Sequence, residues 1–216
     1  MVGVFFMEKT ITNLETQKKN PNRINVFLDD EFAFGISRFA GLDLKLGEKI
    51  DDSKIEEILE IDIREKAYQK ALRFINYRSR TAFEVRNKLT TLGFENDVVE
   101  SILSELIEKE YINDREFAEN WVSSRCHSKP RSRRMIQYEL KKKSIPEEFI
   151  QKALNSMPND DELAVTLGKK YLHRFKDLDE KQFTKKMTGI LARRAFPFSV
   201  VHAAIIKLNK LREELS

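Results

Sequence analysis

The sequence has 216 residues, of which 41% are hydrophobic and 34% are charged, so it contains enough apolar material for a sizeable buried core. Its 7 glycines and 5 prolines argue against a loop-rich or low-complexity chain. A single cysteine, Cys126, excludes an internal disulfide, and the opening MVGVFFMEK has neither a basic leader nor a run that could span a bilayer. We therefore expect a cytoplasmic protein without a membrane segment, with Met7 as an alternative start to Met1.

The net charge of +4 is distributed unevenly along the chain. Residues 1–62 contain 8 Lys/Arg and 13 Asp/Glu, whereas residues 63–216 contain 31 Lys/Arg and 22 Asp/Glu. The positive excess of the larger part favours a polyanion or an acidic protein as its partner. Simple solvation of helix surfaces explains the same totals, so charge alone leaves both interpretations open.

Residues 1–59 are predicted to form a β-rich extension followed by an acidic linker helix. In RINVFLDDEFAFGIS, apolar residues alternate on both sides of a turn at Asp29–Asp30, which is the pattern of a β-hairpin. With TITNLETQ it predicts a three-stranded antiparallel meander, the other turn lying in KKNPNR around Asn20 and Pro21. The segment DDSKIEEILEID then predicts a short helix whose early acidic residues are favoured by the helix dipole.

From about residue 60 the apolar spacing becomes helical and repeats. The segments NKLTTLGFENDVV, YELKKKSIPEEFI and GILARRAFPFSVV begin at residues 87, 138 and 189, a step of 51 residues. Leu89, Leu140 and Leu191 occupy one position of this register, and further apolar residues keep it. We therefore predict a mainly α-helical protein with three tandem three-helix repeats of helix-turn-helix type, at residues 60–112, 113–157 and 158–216.

Helix starts within the repeats are marked by side chains that can cap exposed backbone N–H groups. Gly93 is expected to end a helix because glycine readily adopts the left-handed conformation. The predicted caps are Thr81 with Glu84, Asn96, Asn113 with Glu116, Ser132, Ser144 with Glu147, and Asp179 with Gln182.

Positive charge gathers around the middle helix of each repeat. Residues 125–143 contain eight basic residues and one acidic residue, Glu139. The helix dipole favours a cation near a helix C-terminus, but this explains one lysine rather than the whole neighbourhood. A groove lined in this way should hold phosphates or an acidic protein surface. The predicted partner-binding and nucleic-acid-binding residues are Arg78, Arg80, Arg86, Arg125, Lys129, Arg131, Arg133, Arg134, Lys141, Lys142, Lys143, Lys185, Lys186, Arg193 and Arg194. Of these, Arg131, Arg133, Arg134 and Lys141 to Lys143 are expected to face solvent.

Two aromatic residues of the most basic repeat, Trp121 and Tyr138, are candidates for stacking on bases. Trp121 shares the apolar stripe of its helix with Phe117 and is predicted to be a core residue. Tyr138 is off that stripe and beside the basic residues, so a base-stacking role and a structural role both stay open.

No catalytic constellation is recognisable. The three histidines, His127, His173 and His202, lack the spacing of a metal-binding motif, and there is no glycine-rich phosphate loop. Cys126 is expected to be an ordinary, partly exposed cysteine. The sequence thus predicts a non-enzymatic binder without cofactor or metal.

Three quoted stretches carry a family resemblance. YRSRTAFEVRNKLTTLGF, LIEKEYINDREFAENWVSSR and KPRSRRMIQYELKKKSI resemble the RecX regulatory proteins over residues 66–154. The segment INVFLDDEFAFGIS looks like the N-terminal extension of some members, and the third repeat matches by register more than by identity. Ser79 and Ser144 stand where the family tends to have proline and glycine, which puts the turn geometry in question.

The resemblance implies a regulator of the RecA recombinase, with a role in DNA recombination, DNA repair and the SOS response. It implies a small helical protein that binds the RecA nucleoprotein filament along its groove and inhibits strand exchange and coprotease activity. We expect the protein to be a monomer. It also implies affinity for single-stranded DNA and, secondarily, for double-stranded DNA.

Two other functions are compatible with a basic helical chain. One is a tandem helix-turn-helix protein that reads duplex DNA, against which the middle helices offer few Asn or Gln residues for base edges. The other is a helical nuclease, which would need clustered carboxylates for a metal, and the basic repeats lack them.

Overall fold

The computed structural model describes residues 8–214, so the predicted alternative start at Met7 lies outside the described residues. These residues form two compact units. Unit 1 comprises the described residues up to Arg78 together with Val85–Tyr111, and unit 2 comprises Ser79–Glu84 with the described residues from Ile112 onward.

Unit 1 begins with an antiparallel sheet of the strand order β3-β2-β1-β4. The predicted meander is present, with the hairpin turn at Asp29 and Asp30, whose positive φ angles of 50° and 68° suit a tight turn. The first turn lies at residues 18–19, earlier than predicted, because Pro21 already belongs to a strand. A fourth strand of two residues pairs with β1, too short to leave a periodic signal. The strands are β1 (Lys9–Gln17), β2 (Asn20–Leu28), β3 (Glu31–Ser37) and β4 (Lys49–Ile50).

A single long helix, α1 (Asp52–Tyr77), follows the sheet, and Asp51 caps it by accepting the Lys54 N–H at 2.8 Å. The sequence predicted one helix before residue 60 and another after it, and this is wrong. No glycine or proline interrupts residues 52–77, so nothing ends the first helix. Ile58 of α1 joins the buried cluster under the sheet, which includes Ile11, Val26 and Ile36.

The rest of the described chain is helical, which confirms a mainly α fold with an N-terminal antiparallel sheet. Short turns join successive helices, and a single 3-10 turn, His173–Phe175, extends α7. The helices after α1 are α2 (Ala82–Thr91), α3 (Asn96–Glu108), α4 (Asp114–His127), α5 (Arg133–Lys141), α6 (Glu147–Asn155), α7 (Asp160–Leu172), α8 (Glu180–Ala192) and α9 (Phe198–Glu213).

The 51-residue register is visible at the C-terminal ends of α2, α5 and α8. Leu89, Leu140 and Leu191 are fully buried, as predicted. Four residues after each leucine the chain turns left-handed, with φ angles of 84° at Gly93, 54° at Ser144 and 60° at Ala195. In each case the following N–H bonds to the leucine carbonyl, at 3.3, 3.2 and 3.4 Å, which is the Schellman pattern.

Most of the predicted caps are confirmed. The Thr81 hydroxyl accepts the Glu84 N–H at 3.2 Å, and the Glu84 carboxylate accepts the Thr81 N–H at 3.3 Å, which completes a capping box. Asn113, Ser132 and Asp179 also cap their helices through their side chains.

The caps predicted at Asn96 and Ser144 are wrong. Asn96 is already helical and follows Glu95 at the cap position. Ser144 adopts the left-handed conformation in the turn that ends α5, and Pro146 is the cap residue of α6.

One continuous cluster of buried side chains forms the core of unit 2. It runs from Phe117 on α4 to Leu208 on α9 and includes Leu140 and Leu191. The predicted second and third repeats are therefore built around a shared core.

Candidate nucleic-acid interface

The exposed face of α5 carries a basic and aromatic stripe. Arg134, Tyr138 and Lys142 are spaced by four residues, which places them on one side of the helix. The Lys142 Nζ lies 5.0 Å from the centre of the Tyr138 ring, and Tyr138 is 52% exposed. Tyr138 is off the apolar stripe, as the sequence predicted, and its ring face is accessible to a base.

Helix α8 presents the same face one repeat later. Lys185, Gly189 and Arg193 occupy the register positions of Arg134, Tyr138 and Lys142. Glycine replaces the tyrosine, and a groove of about 740 Å³ lies against this part of α8. None of its lining residues is acidic; they are Tyr171, Arg174, Phe175, Gln182, Lys185, Lys186, Gly189, Ile190 and Arg193.

The opposite wall of this groove comes from α7 and the 3-10 turn. The rings of Tyr171 and Phe175 stack at a centroid distance of 5.9 Å and an angle of 22°. The Lys186 Nζ lies 5.4 Å from the Phe175 ring centre and the Arg174 Cζ lies 6.0 Å from it. Sequence reasoning missed Arg174 and Tyr171, because only the packing of α7 beside α8 brings them to the groove. The aromatic and basic run YLHRFK was the available signal.

Glu139 on α5 binds a second group of cations. Its carboxylate accepts the Trp121 Nε1–H at 2.8 Å and the Arg125 Nε–H at 2.9 Å, and it forms an ion pair with Arg131. The Glu139 side chain is only 12% exposed and that of Arg131 is 23% exposed. The prediction that Arg131 faces solvent is therefore wrong, because Glu139 draws the guanidinium inward.

Burial also lowers the pKa of the Arg125 and Arg131 guanidinium groups from their ordinary values. For Arg131 the nearby charges of Arg125 and Arg194 add to the lowering. The Arg125 Cζ sits 4.1 Å from the centre of the Trp121 ring, and that ring stacks on Phe117 at 5.6 Å. Trp121 is half-buried at the edge of the core rather than inside it.

Lys143 has a structural role. Its Nζ pairs with Glu84 at 2.9 Å and lies over the rings of Trp121 and Phe117, at 5.0 and 5.3 Å. The side chain is 19% exposed, so the prediction that Lys143 faces solvent is wrong as well. Of the lysine triplet, Lys141 and Lys142 remain exposed, and Lys141 pairs with Glu147 at 3.1 Å.

Backbone carbonyls in the turns after α5 and α8 also accept hydrogen bonds from residues that cap helices of the preceding repeat. The Lys143 carbonyl accepts the Thr81 hydroxyl at 3.3 Å, and the Arg194 carbonyl accepts the Ser132 N–H at 3.1 Å. The two contacts are separated by 51 residues at both partners. Part of what the sequence suggested as a binding surface thus connects successive repeats.

The remaining predicted residues divide by exposure. Arg80 and Arg194 are half-buried. Arg86 donates two hydrogen bonds to Glu100, at 2.6 and 2.8 Å, and this pairing lowers the pKa of the Glu100 carboxyl. The exposed members, in addition to the stripe residues already described, are Arg78, Lys129, Arg133 and Lys186.

Neither a metal-binding cluster nor a membrane-spanning helix is found in the described range. Within residues 8–214, no group of three His, Cys, Asp or Glu side chains could hold a metal ion. In the same range, every helix is too short or too polar to cross a membrane. Cys126 is buried rather than partly exposed as predicted, and this burial raises the pKa of its thiol while the charge of Arg133 opposes the rise.

Comparison with known proteins assigns the parts of this fold. Residues 9–51 match a family described as the regulatory protein RecX N-terminal domain. Residues 67–106 match the first three-helix domain of RecX, and residues 113–154 match the second.

Known proteins with similar sequences align with most of the chain. The regulatory protein RecX of Bacillus subtilis is 33% identical over 208 residues, which cover 94% of this chain and 79% of the relative. That of Bacillus velezensis is 33% identical over 199 residues, covering 90% and 76%.

Solved structures show the same architecture. A crystal structure of regulatory protein RecX superposes with a TM-score of 0.68 at 27% identity, covering 90% of this chain and 97% of that one. RecX from Lactobacillus salivarius gives a TM-score of 0.58 at 28% identity, covering 69% and 98%. Domains, sequence and fold agree, and the chain belongs to the RecX family of regulatory proteins.

Proposed function

We propose that this protein binds the RecA nucleoprotein filament and DNA, and that it inhibits the recombinase and coprotease activities of RecA. Its contacts are made by exposed cations of the predicted set, first those on α5 and α8. The role is one of binding and regulation rather than catalysis.

The observation that supports this proposal is the repeated basic face of α5 and α8. Arg134 and Lys185 occupy one register position, and Lys142 and Arg193 occupy another, all four with exposed side chains. Two successive sites of the same chemistry suit a partner that is itself repetitive, such as the phosphates of a strand or the subunits of a filament. Several weak contacts then add through effective concentration rather than through one tight contact.

A tandem helix-turn-helix protein that reads duplex DNA is the alternative. The face of α5 and α8 offers lysine and arginine, which hold phosphates without regard to sequence. It includes one amide side chain that could form a bidentate pair with adenine on each helix, Gln137 and Gln182. Gln137 is engaged with Glu147 at 3.0 Å, so base reading is the less favoured function.

The test is a fourfold variant in the full chain, Arg134→Ala, Lys142→Ala, Lys185→Ala and Arg193→Ala. All four side chains are exposed, so each substitution should change the free energy of unfolding by less than about 0.5 kcal/mol. The DNA-dependent ATPase of RecA is measured against increasing protein. The wild type should suppress it at well below one copy per RecA monomer, and the variant should require much more protein.

A charge-matched control removes four exposed lysines from the other helices of unit 2, Lys152, Lys169, Lys207 and Lys210. It should inhibit RecA almost as well as the wild type. Equal inhibition by the fourfold variant would show that the basic face is an ordinary solvated surface. Absence of any effect on RecA, together with preference for one duplex sequence, would establish the helix-turn-helix alternative.

A further inference from the structure

Unit 1 contains a basic cleft between its sheet and α1 that lies outside the residues predicted from the sequence. The cleft has a volume of about 480 Å³. Five cations and one acidic residue line it: Arg23, Arg38, Lys66, Lys70 and Arg73, with Glu65. Residues 1–62 carry a negative balance, yet this side of the unit is strongly positive because the fold brings β2 and the end of β3 beside the second half of α1.

The helix supplies one wall of the cleft. Lys66, Lys70 and Arg73 follow one another at intervals of four and three residues, so they share a face of α1. Seven residues of helix span roughly 10 Å, which is longer than one phosphate group. The cations are therefore arranged along a line rather than converging on a single point.

A buried carboxylate, Asp62, contacts two of the cations that line the cleft. Asp62 accepts the Ser37 N–H at 2.7 Å and pairs with Lys66 at 2.6 Å and with Arg23 at 3.4 Å. Arg23 also donates to the Gly35 carbonyl. The negative charge of Asp62 is thus balanced by Arg23 and Lys66, and in the described range Asp62 forms no ion pair with the other three cations of the cleft.

Three cations at the mouth of the cleft have no carboxylate partner. Within the described part of the chain, no ion pair is formed by Arg38, Lys70 or Arg73, and all three are exposed. The single acidic lining residue, Glu65, accepts a hydrogen bond from Gln69 at 3.0 Å. Phe39, beside Arg38, is 59% exposed and lines the same cleft.

We propose that this cleft is a second nucleic-acid site, which binds the phosphates of single-stranded DNA. The row of cations on α1 can follow a phosphodiester backbone, and Lys70 and Arg73 of that row, with Arg38 beside it, have no carboxylate partner among the described residues. The exposed ring of Phe39 at the edge offers a stacking surface to a base. The occupant is a strand rather than a small phosphate because the row is longer than one phosphate and the cleft is open. The site belongs to unit 1 and does not depend on the stripes of α5 and α8.

The first experiment compares the full chain with the variant Arg38→Ala/Lys70→Ala/Arg73→Ala. Binding to a fluorescently labelled oligodeoxythymidine is followed by anisotropy at several salt concentrations. The loss of three phosphate contacts should flatten the log–log salt dependence by about 2 and weaken binding roughly 10- to 100-fold at 0.1 M salt. The charge-matched control Lys45→Ala/Lys49→Ala/Lys88→Ala removes exposed cations elsewhere in unit 1 and should change the slope much less.

The second experiment locates the contact in the wild-type protein. An oligonucleotide containing 5-bromodeoxyuridine is cross-linked by light, and the attached peptides are identified by mass spectrometry. We expect cross-links to the segment that contains Phe39 or to residues 65–73. Cross-links confined to unit 2, or a triple variant that binds like its control, would overturn the proposal.

These readouts measure DNA binding and need no RecA. If the fourfold variant of α5 and α8 inhibits RecA normally while the cleft variant loses DNA affinity, the proposed role of the stripes fails and the cleft proposal stands. If the cleft variant binds DNA normally while the fourfold variant loses RecA inhibition, the cleft proposal fails and the proposed role of the stripes stands.

Discussion

At the scale of single residues, the three left-handed positions of the register show how one backbone shape is held by three different side chains. Gly93 adopts it without cost, whereas Ser144 and Ala195 adopt it against the crowding of their Cβ atoms. Ser144 stands where the RecX family tends to have glycine, so the geometry of this turn was in question. The turn is retained because the hydrogen bond from Ile145 to Leu140, at 3.2 Å, closes it.

Replacing Ser144 with glycine should therefore stabilise the protein. We expect a gain of about 1 kcal/mol in the free energy of unfolding, reduced by the greater freedom of glycine in the unfolded chain. The reciprocal change, Gly93→Ala, meets no atom within 4 Å, so it should cost about 1 kcal/mol through the backbone alone. Denaturant titration measures both, and a gain from Gly93→Ala would contradict the argument.

The Glu139 cluster gives a second prediction at this scale. Glu139→Gln should lower the free energy of unfolding by about 2–3 kcal/mol, because it leaves two partly buried guanidinium groups without their shared carboxylate. Thermal and denaturant unfolding measure this loss. The control Glu147→Gln removes an exposed partner of Lys141 and should change stability by less than about 0.5 kcal/mol. A loss at Glu139 no larger than at Glu147 would show that the cluster contributes little.

At the scale of elements, α1 is the largest difference between expectation and structure. The predicted limit at residues 59–60 lies inside this helix, and the same helix serves the sheet through Ile58 and places Lys66, Lys70 and Arg73 along the cleft. Its continuity therefore positions the candidate site of unit 1.

A proline at position 60 tests that continuity. Glu60 is exposed in the middle of α1, where proline removes a helical hydrogen bond and clashes with the preceding turn, so Glu60→Pro should cost about 3 kcal/mol or more. Glu60→Ala should be close to neutral. Circular dichroism and denaturant unfolding provide the measurement, and tolerance of the proline would indicate that two separate helices meet here.

At the scale of the whole molecule, the second and third predicted repeats depend on each other. Their buried side chains form one cluster, and the Ser132 N–H reaches the Arg194 carbonyl across the two repeats. The individual repeat limits at 112/113 and 157/158 remain a prediction. Because the core is shared, we expect that neither of these two repeats buries enough apolar surface to fold alone.

Two fragments test this dependence. Residues 113–157 alone should fail to unfold cooperatively, because the fragment exposes the face that packs against α7 to α9. Residues 79–216 keep unit 2 intact and should show a cooperative transition. Calorimetry or denaturant titration distinguishes them, and cooperative unfolding of the short fragment would show that each repeat is an independent domain.

Features that depend on neighbours along the chain could be predicted from the sequence. The alternation of apolar residues and the turn residues predicted the first three strands, and the capping side chains predicted most helix starts. The 51-residue spacing identified Leu89, Leu140 and Leu191 as buried. The exposed cations of α5 and α8 could also be found in this way, because residues four apart on a helix share a face whatever surrounds it.

Which cations remain available for a partner depends on how the folded chain packs. Arg125, Arg131 and Lys143 look like the other basic residues in the sequence, but Glu139 and Glu84 approach them from 8 to 59 residues away and pair with them. Arg38 and Arg73 gave no comparable signal of a shared site, since β3 and α1 must pack before they line one cleft. Charge counted along the chain is a local quantity, whereas pairing and burial of charge depend on contacts between segments that the sequence separates.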